Sequence, residues 1–469
     1  MNAVGRLWNR DVVRARAVDE QRRLAGRIAR AMAGIVSIGA ETPVPLRPLL
    51  LDLDEYEALR RSARTLAKII VDACERKSGG DAARLAALTR HPQDHLRIMS
   101  PTTSRLSASN VRPDAILSGG VPWFIECNFH SAVGGVVPTG LLNGIYAGSA
   151  AARRLQASGF GFVFHDSMEA RRRQLLEVVG GLRLRRAPRI ALIGWEKGQS
   201  SIREIVVEVE HLRERGMQAY YVRPEDVRLK NGGLSAGGRS FDVAVRIFLT
   251  PKWLEAGIDL EPYARAARAG ATIIVTDDRC SLYTNKIVLA WLHQEPGLLE
   301  PHAREFVAAH VPWTCLVRDG KASFRGREID TVPFLLKHRR QLLLKPLAGY
   351  GGKGIVFGNG VDQASWSELV RRGAAESNFI AQKYVPSDLV PMPFFIPDPC
   401  RVIVRRVPVV FGPHHFGSHA GGMLARHAAS PGSGSINWGR AFSNTVFGTT
   451  SGLVEGSATA GTLLSRFES

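Results

Sequence analysis

Between residues 189 and 277 the chain alternates short apolar runs with helical or turn segments: "IALIG", a long amphipathic stretch through "REIVVEVEHLRER", "AYYV", then "DVAVRIFL" and "ATIIVTD". Such alternation predicts a parallel, doubly wound α/β layer. The pattern is confined to that part of the chain. Residues 1–100 read as a helical region, in which "DEYEALRRSARTLAKIIVDACERK" carries apolar positions at helical spacing and Gly79-Gly80 closes the helix. Near residue 101 the composition shifts to short β-rich runs and turns, and the last third is strand-rich and glycine-rich without an internal repeat. The stretch "SPGSGS" at 430–435 reads as a mobile loop.

A length of 469 residues with 45% apolar side chains is enough for two or three cored domains. The formal charge of +19 raises the question of nucleic acid, but it comes mostly from arginine spread along the whole chain, with no basic tail. Diffuse positive charge favours anionic ligands generally. Five scattered cysteines without a C-x-x-C spacing fit a reducing cytosol, and no apolar run approaches the length of a membrane span. The Arg-rich N-terminus lacks the apolar core and cleavage site of a secretory signal and reads as an amphipathic helix.

The stretch "VRPDAILSGGVPWFIECNFHSAVGG", residues 111–135, surrounds the apolar run "VPWFI" with Arg112, Asp114, Glu126 and Asn128. Because side chains alternate along a strand, Glu126 and Asn128 project to the same face. A carboxylate and an amide two residues apart at the end of an apolar run call for an explanation. The plainest is a strand end whose carboxylate pairs with Arg112.

A second stretch, "LLLKPLAGYGGKGIVFG" at 342–358, reads as a strand ending in a lysine, a glycine-dense loop and another strand. Its backbone N–H groups could close over phosphates, although taken alone it is equally a tight hairpin. It is not a Walker A loop, since Lys353 is followed by Gly354 rather than Ser or Thr. "DDRCSLYTNKIVLAWL" puts Asn285 and Lys286 at the start of an apolar helix, and "FIAQKYVPSD" is a strand ending in Gln382, Lys383, Tyr384 and Val385.

In this order the pieces resemble a circularly permuted ATP-grasp enzyme, in particular the synthetase domain of glutathionylspermidine synthase and more distantly eukaryotic glutathione synthetase, over roughly residues 101–430. The resemblance implies an α/β ATP-grasp fold with a Rossmann-like pre-ATP-grasp domain at 186–285. That domain would lie between a first ATP-grasp segment at 101–185, carrying the metal triad, and a second at 286–469, after an N-terminal helical region at 1–100.

Asp114, Glu126 and Asn128 match that family's magnesium triad. By the same resemblance Arg112 contacts the transferring phosphoryl group, and Arg426, in "GGMLARHA", returns a second cation to the phosphates. Lys286 and Lys345 hold the α- and β-phosphates of ATP, the loop through Gly349, Gly351, Gly352 and Gly354 closes over the γ-phosphate, and Gln382 to Val385 frame the adenine. His130 and Ser131 stand where the related glutathione synthetase takes its acyl substrate. Arg401 and Arg426 are equally compatible with plain surface arginines.

The implied activity is carboxylate–amine ligation through an acyl phosphate, releasing ADP and phosphate. It calls for small-molecule or peptide carboxylate and amine substrates, no membrane partner, a cytoplasmic setting and a homodimer. Three departures stand out. The family's acidic residue in the glycine loop is replaced by the run Ala348, Gly349, Tyr350; no amidase domain is recognisable; and neither the N-terminal helices nor the tail after 440 has a counterpart. A non-catalytic ATP-binding protein and, less favoured, a nucleic-acid-binding protein remain as alternatives.

Overall fold

The computed structural model describes residues 3–13, 18–35, 43–101, 104–182, 184, 186–195, 201–349, 351–428 and 441–450. The alternating segment forms the expected parallel layer. Its strands Arg189–Gly194, Gln218–Val222, Val243–Ile247 and Ile273–Val275 pair in parallel, with Val243–Ile247 and Arg189–Gly194 at the centre. All five residues of Val243–Ile247 are buried, which is why that run shows no polar alternation. Helix Ile202–Glu214 follows the first strand and opens on a reciprocal cap between Ser201 and Glu204. It packs so closely that a Cβ at Gly194 would lie 2.3 Å from Ile205 Cδ1.

Beside this layer lies a nine-stranded sheet built mostly from the strand-rich last third. Leu389–Ile396, Arg401–Phe416, His419–Ala428 and Ala441–Thr450 run antiparallel in sequence order. The 16-residue strand Arg401–Phe416 also pairs with Asn110–Ser118, which turns at Gly119-Gly120 into Val121–Phe129. Both turn glycines have positive φ, 60° and 76°, as a tight hairpin requires.

The N-terminal region is helical, but not wholly so. Val44–Pro45 pairs with Phe394 and Phe395, and Leu49–Asp52 runs parallel to residues 446–449, so both ends of the chain contribute to one sheet. Helix Leu53–Ser78 follows directly and ends at Gly79, whose φ of 68° supplies the left-handed cap. Its apolar face, including Tyr56, Leu59, Leu66 and Ile70, shares one core with Phe124, Phe129, Met392 and Phe411 of the sheet.

The segment after residue 286 divides. Thr314–Leu316, Phe379–Lys383, Leu342–Pro346 and Val356–Phe357 form a separate four-stranded antiparallel sheet, on which helix Gln363–Glu376 buries Trp366 and Val370. Lys321–Phe324 and Arg327–Asp330 pair as a two-stranded hairpin, and the strands from Leu389 onward join the nine-stranded sheet. Residues 430–435 and the tail after 450 lie outside the described residues. Among the described residues no helix is long and apolar enough to cross a membrane.

Candidate active site

The hairpin Asn110–Ser118/Val121–Phe129 sets the site by its register. Arg112 lies opposite Asn128 and Asp114 opposite Glu126, so all four side chains share one face. Strict alternation would then put Phe124 on that face as well. Instead the register shifts after Asp114, Ala115 pairs with Phe124, and Ile125 is the extra residue. The bulge sends Phe124, Cys127 and Phe129 together into the core while Glu126 and Asn128 stay on the polar face.

Asp114 is fully buried and heavily contacted. Arg112 donates from Nε to Oδ1 at 2.9 Å and from Nη2 to Oδ2 at 3.3 Å; Arg426 Nη2 stands 2.5 Å from Oδ2, and Asn128 Nδ2 donates to the same oxygen at 3.2 Å. Burial alone would raise the Asp114 carboxyl, but the two guanidinium groups overcome it and hold it below the usual carboxylate range. Arg426 comes from His419–Ala428, where its partner across the sheet is Val410. Its Nε is buried without a hydrogen bond among the described residues.

Two lysines approach from the other direction. Lys286 caps the start of helix Ile287–Gln294; its Nζ donates to Gly349 O at 2.9 Å and lies 4.0 Å from Glu126 Oε2. Lys345, in strand Leu342–Pro346, donates from Nζ to Ile125 O at 2.9 Å, using the carbonyl that the bulge turns out of the ladder. Burial pushes the Lys345 ammonium down to about 8, with Glu126 opposing the shift and Lys286 adding to it. A backbone bond from Lys286 N to Leu347 O, 3.0 Å, ties the helix start to the chain just beyond Lys345.

The glycine-dense loop adopts a backbone open to few other residues. Gly349, Gly351, Gly352 and Gly354 have φ of 145°, 68°, 72° and 75°, and a Cβ on Gly354 would lie 2.8 Å from Pro346 Cγ. Tyr350 lies outside the described residues. Strand Phe379–Lys383 neighbours the Lys345 strand, with Leu343 opposite Gln382. Gln382 is buried and its amide donates to Thr314 Oγ1 at 3.1 Å. The N–H groups of Lys383 and Tyr384 are committed to Trp313 O and Gln341 O, each at 2.8 Å, leaving the chain from Val385 onward to leave the sheet.

His130 and Ser131 are brought close to this cluster but are enclosed. Burial, with Arg246 nearby, keeps the His130 ring well below its ordinary value, and its Nδ1 accepts from Ala132 N at 2.9 Å. Ser131 is fully buried; its Oγ donates to Val275 O at 2.8 Å and its N–H to Thr276 Oγ1 at 2.9 Å. Thr276 pays for that contact with a φ of 56°, an outlier for a β-branched residue.

Two contributors escaped the sequence reading. Thr276 pins the loop after Asn128 to the parallel layer. Gly412, in Arg401–Phe416, makes room for the Arg112–Asp114 pair: a Cβ there would lie 2.8 Å from both Arg112 Cδ and Asp114 Oδ1. A glycine inside the apolar run "VPVVFG" is the available signal, since strand glycines mark close approach. Two clefts elsewhere, of about 440 and 580 Å³, are lined by other residues, so chemistry rather than concavity singles out this site.

No family model matches the chain, and a search of curated proteins finds no match. Among solved structures, a glutathione synthetase-like effector from Globodera pallida, in apo form, superposes with a TM-score of 0.57 at 12% identity, covering 92% of this chain and 94% of that one. A candidate gamma-glutamylcysteine synthetase from Methylobacillus flagellatus (TM-score 0.41, 12% identity, 83% and 88% covered) is more distant. So is a RimK domain ATP-grasp protein from Sphaerobacter thermophilus (TM-score 0.25, 14% identity, 58% and 94% covered). The protein has a mixed α/β fold similar to that of the glutathione synthetase-like effector.

Proposed function

We propose that the chain is an ATP-dependent carboxylate–amine ligase on a circularly permuted ATP-grasp fold, resembling the synthetase domain of glutathionylspermidine synthase. One observation carries the reading. Lys286 and Lys345, from separate segments, come together beside Glu126, and Lys345 is buried there with a backbone carbonyl as its hydrogen-bond partner among the described residues. A buried cation with no carboxylate in hydrogen-bond contact is suited to receiving an anion, and a nucleotide phosphate is the anion that the neighbouring glycine loop can enclose.

The donor set fits magnesium. Glu126 has about a quarter of its side chain exposed, and Asn128 directs its amide nitrogen to the carboxylates, which leaves its oxygen for a cation. Asp114 fits less freely, because both its oxygens are held by arginines. When bound, magnesium would neutralise charge on the phosphates as the γ-phosphoryl group moves to the substrate carboxylate. Lys286 and Lys345 would hold the α- and β-phosphates. Arg112 and Arg426, kept in place by Asp114, would turn positive charge toward the phosphoryl group in flight. The loop Gly349–Gly354 would exclude water.

Adenine recognition would fall to the carbonyl groups at the end of Phe379–Lys383 and to Val385, since the Gln382 amide and the Lys383 and Tyr384 N–H groups are already engaged. Ser131 would anchor the acyl-side loop rather than touch substrate. A cytoplasmic setting fits five free cysteines, four of them buried.

The test is ADP release from Mg·ATP across pairs of amino acids or short peptides with amines. The expected result is turnover requiring both partners, abolished in Lys345→Met. A second reading, a non-catalytic ATP-binding protein, is favoured by the arginine-saturated Asp114. Nucleotide binding without acid-dependent ADP release for any pair would select it and reject ligation.

A further inference from the structure

His414, in strand Arg401–Phe416, has no exposed surface and two competing partners. Its Nδ1 lies 3.1 Å from Gly422 O and its Nε2 lies 3.1 Å from Gly134 O. A neutral imidazole has one N–H, so only one of these carbonyls can accept from it, and the other faces a lone pair. Protonation would satisfy both, but burial, then Arg112 and Arg171, push the ring down to about 3. The choice of tautomer therefore decides which carbonyl is held.

The Gly134 carbonyl matters because Arg112 uses it too: Nη1 donates there at 2.7 Å, while Nε and Nη2 hold Asp114. A carbonyl oxygen can accept twice. The loop bearing it is pinned on every side. Arg171 Nη2 donates to Ser131 O at 3.0 Å, Thr276 holds the Ser131 N–H, and Gly135, at φ 94°, sits where a Cβ would lie 2.8 Å from Leu424.

We infer that His414 is a positioning residue for Arg112: its Nε2–H shares the Gly134 carbonyl, and so keeps the guanidinium aimed while Arg112 engages the phosphoryl group. When Arg112 tips toward a phosphate oxygen and loosens its bond to Gly134, the His414 bond remains and the loop does not relax. This rests on the nucleotide-binding reading of the site.

Two substitutions separate the contacts. His414→Gln places an amide near the Nε2 position, and His414→Asn places one near Nδ1. Affinities of wild type and both variants for ADP and for the β,γ-imido analogue of ATP, with magnesium, are read by calorimetry, alongside thermal midpoints. The Gln variant should keep analogue affinity within about twofold, whereas the Asn variant should lose about five- to tenfold for the analogue and little for ADP, the scale of one hydrogen bond. If wild type binds and both variants lose equally, or neither loses, the role assigned to His414 is wrong. If the Asn variant does not fold, loss of analogue affinity in the Gln variant overturns the inference by itself. A wild type that binds neither nucleotide removes the reading beneath it.

Discussion

Glu126 stands between two charged clusters organised on opposite principles. On one side the fully buried Asp114 pairs directly with Arg112 and Arg426; on the other, Lys286 and Lys345 are held by backbone carbonyls, with Glu126 no closer than 4.0 Å to Lys286. The first cluster holds its cations by direct contact with a carboxylate. The second carries buried positive charge that Glu126 offsets without a direct hydrogen bond. Stability should therefore be concentrated in the arginine cluster and binding in the lysine cluster, and variants can pull the two apart.

The largest effect should come from Asp114→Ala. Removing one partner from a buried ion cluster leaves two guanidinium groups uncompensated, at a cost of about 3–5 kcal/mol in denaturant unfolding. Next, Gly412→Ala should cost about 1–3 kcal/mol by forcing a methyl against Arg112 and Asp114, and should weaken nucleotide binding as well.

Lys345→Met should behave in the opposite sense, stabilising the ligand-free protein by roughly 1–3 kcal/mol while eliminating nucleotide binding. Its pH dependence follows from the depressed Lys345 ammonium. Below about 8 the lysine is charged both folded and unfolded, and the burial penalty is fully present. As pH rises from there toward the ordinary lysine value, the folded state releases its proton first, the penalty fades, and the gap between variant and wild type should close. A gap that widens over that range would break the contrast between the clusters. The smallest effect is expected from Lys321→Ala, in an exposed hairpin ion pair remote from both, where neither unfolding nor nucleotide binding should change measurably.

Much of this arrangement was legible in the residues. The parallel layer was readable because its strands are mostly apolar and its central strand is buried throughout, and Leu53–Ser78 because its periodicity ends at a glycine. The face shared by Glu126 and Asn128 followed from alternation. The bulge at Ile125 did not, although it is what separates Phe124 from that face and frees the carbonyl that holds Lys345. Long-range pairing was equally hidden: Leu49–Asp52 joins residues 446–449 across almost the whole chain, and no local pattern specifies such a partner. For His130 and Ser131, sequence order placed them near the site, but their enclosure depends on Val275 and Thr276 from another sheet.

The central claim is that the lysine cluster and Glu126 together bind Mg·nucleotide. Thermal unfolding with magnesium and a non-hydrolysable ATP analogue, on wild type and on Glu126→Ala, tests it most directly. A ligand at about 100 times its dissociation constant adds roughly 2.7 kcal/mol to the folded state, so the wild-type midpoint should rise clearly with magnesium and that of the variant much less. An unmoved wild type, or an equal shift in both proteins, would contradict the account.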